Sequence, residues 1–175
     1  FLPRPMKIGR ILAIGMLLGA LACRADEVSI PATSGAITYP FEIDGKTVVQ
    51  ARDTSIETGG RAVYTFSITN AGDYLIWAAL SGKPGKSTTL KISLGARAQP
   101  SSILWQFEPP DTIRRQPVGS KKNARSYRDY CVFSLPAGAY QLDVRGATEG
   151  TRIEQFIVRS HGRPAPPGSI RPTRQ

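Results

Sequence analysis

Phe66-Ser67-Ile68-Thr69-Asn70-Ala71-Gly72-Asp73-Tyr74-Leu75-Ile76-Trp77 decides the fold, because the chain repeats its pattern at Phe133-Ser134-Leu135-Pro136-Ala137-Gly138-Ala139-Tyr140-Gln141-Leu142-Asp143-Val144. In each phrase a run with apolar residues at alternate positions meets an Ala-Gly turn, then an aromatic, then a second run. Period-two alternation sets one side of a strand against a core, and glycine enters turn conformations that other residues resist. Each phrase therefore reads as a β-hairpin, and two of them predict an antiparallel β architecture.

The flanking sequence continues the pattern. Ala62, Tyr64, Phe66 and Ile68 oppose Val63, Thr65 and Ser67, the signature of a half-buried strand. Further strands are predicted over 28–30, 36–43, 46–50, 74–80, 88–94, 103–107, 130–135, 140–145 and 152–158. Loops rich in Gly, Pro and Ser divide them, notably Ser81-Gly82-Lys83-Pro84-Gly85-Lys86-Ser87. No helical run of three turns follows the first 25 residues. Many short strands in one domain predict an all-β sandwich or jelly roll, an arrangement that limits exposed sheet edges.

The amino-terminal segment has a different composition. Lys7 and Arg10 precede an apolar run from Ile11 to Ala22, shorter than the roughly 20 residues that span a bilayer and suited to a secretory signal. Ala20 and Ala22 suit cleavage before Cys23, and Ala25 before Asp26; Met6 is the expected start. An uncut membrane anchor and a lipidated Cys23 are the alternatives. The expected organisation is a signal over 1–25, a domain over 26–160, and a disordered, basic, proline-rich tail over 161–175. The expected location is secreted or periplasmic.

The formal charge is +10; the signal carries Arg4, Lys7, Arg10 and Arg24 with no acid, so its removal leaves +6. A single histidine, His161, and two cysteines exclude Cys/His zinc sites, Ser-His-Asp triads and Cys-His dyads. Cys131 alternates with Phe133 and Leu135 and reads as a small buried hydrophobe.

From Tyr39 to Arg159 the chain resembles the β-jelly-roll carbohydrate-binding modules of families 6 and 35 and their galactose-binding-like relatives. Glu42-Ile43-Asp44 stands where these modules open with an acidic triplet, and Gly59-Gly60-Arg61-Ala62-Val63-Tyr64-Thr65-Phe66 resembles their glycine-led second strand. The Ala71-Gly72-Asp73-Tyr74 turn, Trp105, the Leu135-Pro136-Ala137-Gly138 turn and Thr151-Arg152-Ile153-Glu154-Gln155-Phe156-Ile157 follow in family order.

The resemblance implies noncatalytic glycan binding, with a polysaccharide or glycoconjugate as partner. Sugar C–H patches stack on flat aromatics, and sugar hydroxyls need a few fixed donors and acceptors. Trp105 matches the platform tryptophan of such modules; it also alternates with Ile103 and Phe107, as a core residue would, and both readings stand. Trp77 shares its side with Leu75 and Ala79 and is expected in the core. Arg61 replaces the second aromatic, and Thr151 or Arg152 replaces the amide residue before the closing strand.

Arg114, Arg115, Lys121, Lys122, Arg125 and Arg128 come without an acid among them, in a stretch that reads as a loop. Such a rim suits uronate or sulfate groups through charge-assisted hydrogen bonds. Together with Tyr127 and Tyr130 it also fits nucleic acid, which export argues against. A protein-interaction sandwich of the cell envelope is the remaining alternative. The resemblance further implies a structural calcium between Glu42 or Asp44 and Glu154, although a Glu stands where Asp is usual. Glycosidase chemistry would require two carboxylates flanking a cleft, and no cleft-forming scaffold is evident.

Overall fold

Alternating strands bury their apolar sides only when a second sheet covers them, and two sheets is what the chain builds. The computed structural model describes residues 27–95, 101–119, 131–161 and 172–174. Its strands are β1 (Glu27–Pro31), β2 (Ala36–Thr38), β3 (Phe41–Asp44), β4 (Thr47–Gln50), β5 (Gly60–Ile68), β6 (Gly72–Ser81), β7 (Thr88–Gly95), β8 (Ser101–Phe107), β9 (Arg114–Pro117), β10 (Cys131–Leu135), β11 (Gly138–Gly146), β12 (Arg152–Ser160) and β13 (Pro172–Arg174). One sheet has the order β2-β5-β11-β7-β8. The other runs β13-β10-β6-β12-β4-β3, with β1 also paired to β12 and β9 also paired to β6. The observed fold is an all-β sandwich of two antiparallel sheets.

The two repeated phrases are not hairpins. β5 lies in the five-stranded sheet and β6 in the other; β10 and β11 are divided the same way. Each Ala-Gly turn is an arch from one sheet to the other. Alternation satisfies a hairpin and an arch equally, so the pattern predicts strands without predicting their partners. The phrases pair with each other instead. β5 joins β11 from Ile68↔Gly138 to Gly60↔Gly146, and β6 joins β10 from Gly72↔Leu135 to Leu75↔Val132. At each arch the aromatic after the turn ties back to the chain four residues earlier. Tyr74 Oη donates to Asn70 O at 2.6 Å, and Tyr140 Oη donates to Pro136 O at 2.7 Å. Each phenol thus gives the backbone carbonyl at its arch a hydrogen-bond donor.

The inward sides form a continuous core. Tyr64 meets Phe156 across the sheets with ring centroids 5.5 Å apart, and Phe66 stacks with Tyr140 at 5.7 Å. The Tyr64 hydroxyl donates to Ala32 O at 2.9 Å, and burial pushes its phenol above the ordinary range. Gly60 and Gly146 are cross-strand partners, and a Cβ on either would strike the Phe41 ring. The glycine-led start of β5 is therefore a floor for Phe41 rather than a flexible joint.

Four expectations need correction. The strand predicted over 36–43 is two strands in different sheets, β2 and β3, divided at the cis Tyr39-Pro40 bond. Arg114–Pro117, read as loop, is β9, which its partner β6 imposes on a segment without apolar alternation. The tail is not wholly without structure: His161 N donates to Asp73 O at 2.6 Å, and Pro172–Arg174 pairs with Cys131–Phe133. Trp77 is not in the core; it lies half-buried on the outward side of β6, opposite Pro117 and Ile157. The expected signal over 1–25 falls outside the described residues.

The arch phenols carry a prediction. Tyr74→Phe and Tyr140→Phe keep the ring and remove only the hydroxyl, so each should cost about 1 kcal/mol in urea unfolding. Values indistinguishable from the parent would mean that the arches hold without these bonds.

Candidate functional site

Four connections gather at one end of the sandwich, residues 51–59, 82–87, 108–113 and 147–151, each leaving or entering a strand at that end. Backbone bonds sew them together. Gln50 N donates to Thr151 O, Gly150 N to Gln50 O and Thr54 N to Ala147 O, each at 2.9 Å, while Gly82 N reaches Pro110 O at 3.0 Å. The fully buried Gln50 side chain is the hub. Its Nε2 donates to Arg52 O at 2.9 Å and Thr54 Oγ1 at 3.1 Å, and its Oε1 accepts from Gly60 N at 3.2 Å.

Ion pairs fix the outer layer of these loops. Lys86 Nζ reaches the two Asp53 oxygens at 2.6 and 2.8 Å, and Glu149 N donates to Asp53 Oδ1 at 2.8 Å. Lys83 Nζ reaches Glu149 Oε1 at 2.7 Å. The Lys86 hydrogen bond, followed by the Glu149 amide, holds the Asp53 carboxyl below its usual range. The result is a set of donors and acceptors in fixed positions, nearly neutral overall.

The expected site residues do not converge. Trp105 is 1% exposed and stacks on Phe107 with centroids 4.0 Å apart. The alternation it shares with Ile103 and Phe107 points all three at the opposite sheet, so Trp105 is core and offers a sugar no platform. Thr151 is likewise fully buried; its hydroxyl donates to Thr148 O at 2.7 Å. Arg61 lies on the outward side of the five-stranded sheet, where its Nε donates to Asp143 Oδ2 at 2.9 Å. Arg114 and Arg115 belong to β9, opposite Leu80 and Ala79, and are exposed without an ion pair among the described residues. Arg152 opens β12 opposite Ser81, on the outward side that Arg115 shares. Lys121, Lys122, Arg125, Arg128, Tyr127 and Tyr130 lie outside the described residues.

The carboxylates do not fit a calcium ion. Arg152 Nη1 donates to Asp44 Oδ2 at 2.7 Å, so that carboxylate is already engaged by a guanidinium. Glu154 sits at an irregularity of β12 between Ile153 and Gln155, and Glu42 faces outward on β3 opposite Val49. Among the described residues no three His, Cys, Asp or Glu side chains gather.

Sequence reading missed Tyr39. It is 58% exposed, the one exposed aromatic among the described residues, and the Arg52 guanidinium lies 5.2 Å from its ring centroid. Pro40 O accepts from Ala51 N at 2.9 Å, which sets this turn against the start of the 51–59 loop. The available signal was a Tyr-Pro pair just ahead of an alternating strand, a position where an aromatic need not be buried.

No protein-family description and no curated protein sequence matches the chain, whereas solved structures do. The C-terminal family 6 carbohydrate-binding module of LamC, a marine laminarinase from Zobellia galactanivorans, is 16% identical with a TM-score of 0.51; the match covers 77% of this chain and all of that module. A family 35 carbohydrate-binding module from Clostridium thermocellum is 10% identical at a TM-score of 0.51, over 77% of this chain and 98% of the module. An exo-β-1,3-galactanase from Phanerochaete chrysosporium, solved with galactose, gives 15% identity and a TM-score of 0.54, but only 29% of that enzyme is covered. At such identities the likeness is one of fold: the chain has the jelly roll of these modules.

Two outcomes follow from the placement of Trp105 and Asp44. Trp105→Ala should destabilise the domain by about 3–5 kcal/mol in chemical denaturation, the usual cost of emptying a core aromatic. The melting temperature should be the same in millimolar calcium as in excess chelator. A rise that tracks calcium occupancy would instead mean that the metal binds the folded state and displaces Arg152.

Proposed function

We propose that the chain is an exported, noncatalytic carbohydrate-binding domain that holds glycan at the loop end beside Tyr39. The observation that carries this reading is the exposed Tyr39 ring, set against Arg52 and a rim of fixed polar groups, on the fold of whole carbohydrate-binding modules. A sugar ring has an apolar C–H patch for the tyrosine and hydroxyls for the rim. The Lys86–Asp53 and Lys83–Glu149 pairs supply donors and acceptors already oriented, so little side-chain entropy is lost on binding. The apolar run from Ile11 to Ala22 supports export.

Within this reading the ligand is anionic, bearing uronate or sulfate groups. Arg114 and Arg115 support it, because they stand exposed opposite apolar partners with no acid compensating them among the described residues. Arg152 and Arg61 are the weaker contributors, each already paired with an aspartate.

A glycan array at low and high salt tests the reading. Tyr39→Ala should weaken binding about tenfold, the equivalent of roughly 1.4 kcal/mol of lost stacking, and leave the melting temperature unchanged. Replacing Arg114 and Arg115 by Gln should lower affinity for anionic glycans alone and flatten the salt dependence, since screening acts on exposed charge pairs. A parent protein that binds no glycan at low salt overturns the proposal; retention of single-stranded nucleic acid under the same conditions would put that ligand in its place.

A further inference from the structure

The outward side of the five-stranded sheet meets water: Thr65, Gln141, Ser102, Leu104 and Gln106 are exposed there. A row of three cations runs across it. Arg61 of β5 is the cross-strand partner of Arg145 of β11, and Arg145 is in turn the partner of Lys91 of β7. The row begins beside Tyr39, since Thr38 partners Arg61, and it ends on Leu104, the partner of Lys91 and 53% exposed. At about 4.8 Å per strand, the path from Thr38 to Lys91 is roughly 14 Å long.

Like charges directly opposite one another in a sheet are destabilising, so the row requires counter-charge. Two carboxylates face it. Asp143 accepts from Arg61 Nε at 2.9 Å and Nη2 at 2.5 Å with one oxygen, while its other oxygen is buried 4.0 Å from Arg145 Nε. Arg145 Nη1 donates to Glu57 O at 3.1 Å, which ties the guanidinium to the 51–59 loop. The Glu57 carboxyl is held below its usual range by its own amide and the Ser55 hydroxyl, and then by the charges of Lys91 and Arg145. The Lys91 ammonium makes no ion pair or hydrogen bond among the described residues. Three cations against two carboxylates leave one positive charge over, and it falls at the Arg145–Lys91 end.

We propose that Arg145 and Lys91 form an anion-binding site for an acidic polysaccharide, whose chain crosses the strands from Tyr39 toward Leu104 and sets a carboxylate or sulfate ester between the two side chains. The site rests on the glycan-binding reading given above and extends it from the loop end onto the sheet. Asp143 and the Glu57 carbonyl hold the Arg145 guanidinium from one side, so its remaining N–H groups are oriented before a ligand arrives. A planar fork and a neighbouring ammonium suit a flat anion with several acceptor oxygens. Leu104 offers apolar surface to sugar C–H groups, and Ser93 and Ser102, partners in the next row, add hydroxyls. The ligand thereby supplies the counter-charge that the row lacks. Arg114 and Arg115 stand on the other sheet and take no part in it.

Calorimetric titration of the full chain tests the site, with polygalacturonate for carboxylate, dextran sulfate for sulfate and neutral dextran as the uncharged control. Lys91→Gln combined with Arg145→Gln should lower affinity for an acidic polymer about tenfold, because two exposed charge-assisted contacts are lost, with no effect on neutral dextran. Glu57→Gln should raise the same affinity two- to threefold by removing a competing carboxylate, a gain that a merely structural role would not produce. Lys46→Gln removes one charge from the turn between β3 and β4 and should change little. If Arg145→Gln lowers Tm, Lys91→Gln alone carries the test, with a loss of about threefold. Unchanged acidic affinity in the Lys91 variant, or an equal loss with Lys46→Gln, overturns the site and leaves the loop-end reading standing. A parent that binds glycans on an array but neither acidic polymer overturns it too, and one that binds no glycan at all sinks the glycan reading with it. Binding of single-stranded DNA in place of both polymers, lost in the Lys91 variant, would give the row to nucleic acid.

Discussion

The structure depends on a reciprocal clasp. The first strand of each repeated phrase pairs with the second strand of the other, β5 with β11 in one sheet and β10 with β6 in the other. Two arches that would otherwise be separate excursions become one closed unit, with Phe66 and Tyr140 stacked between them. Pairing strands far apart in sequence is expensive in chain entropy, and the arch phenols reduce that cost by fixing each change of sheet locally.

Once the clasp is closed, the fate of every other side chain follows from which side of its strand it occupies. Trp105 and Tyr64 fall inward and are consumed by packing. Arg61, Asp143 and Arg145 fall outward on the five-stranded sheet, where a shared carboxylate sits between two guanidinium groups. The loop end escapes this division, since its backbone carries no alternation. It is held by Gln50, a polar side chain buried among the backbone groups that these connections would otherwise leave unsatisfied.

Charge is managed mostly by internal pairing. Asp44 takes Arg152, Asp53 takes Lys86, Glu149 takes Lys83 and Asp143 takes Arg61. These pairs hold much of the charge of the described loop end, while Arg114 and Arg115 of β9 make no ion pair among the described residues. The Asp44–Arg152 pair joins β3 to β12 across the intervening β4, a link between early and late strands of the domain.

The order of strands, the glycine-led start of β5, the all-β sandwich and the resemblance to carbohydrate-binding jelly rolls were legible in the sequence, because alternation and turn chemistry are local properties of a chain. Which strands pair was not legible, and so both phrases read as hairpins although they are arches. Alternation also says that Ile103, Trp105 and Phe107 share a side, without saying whether that side meets water or the opposite sheet. The exposure of Tyr39, the pairing of Asp44 with Arg152 and the strand at Arg114–Pro117 were decided only by the tertiary structure. Each depends on a neighbour distant in sequence, and the energy that places it arises between elements rather than within one.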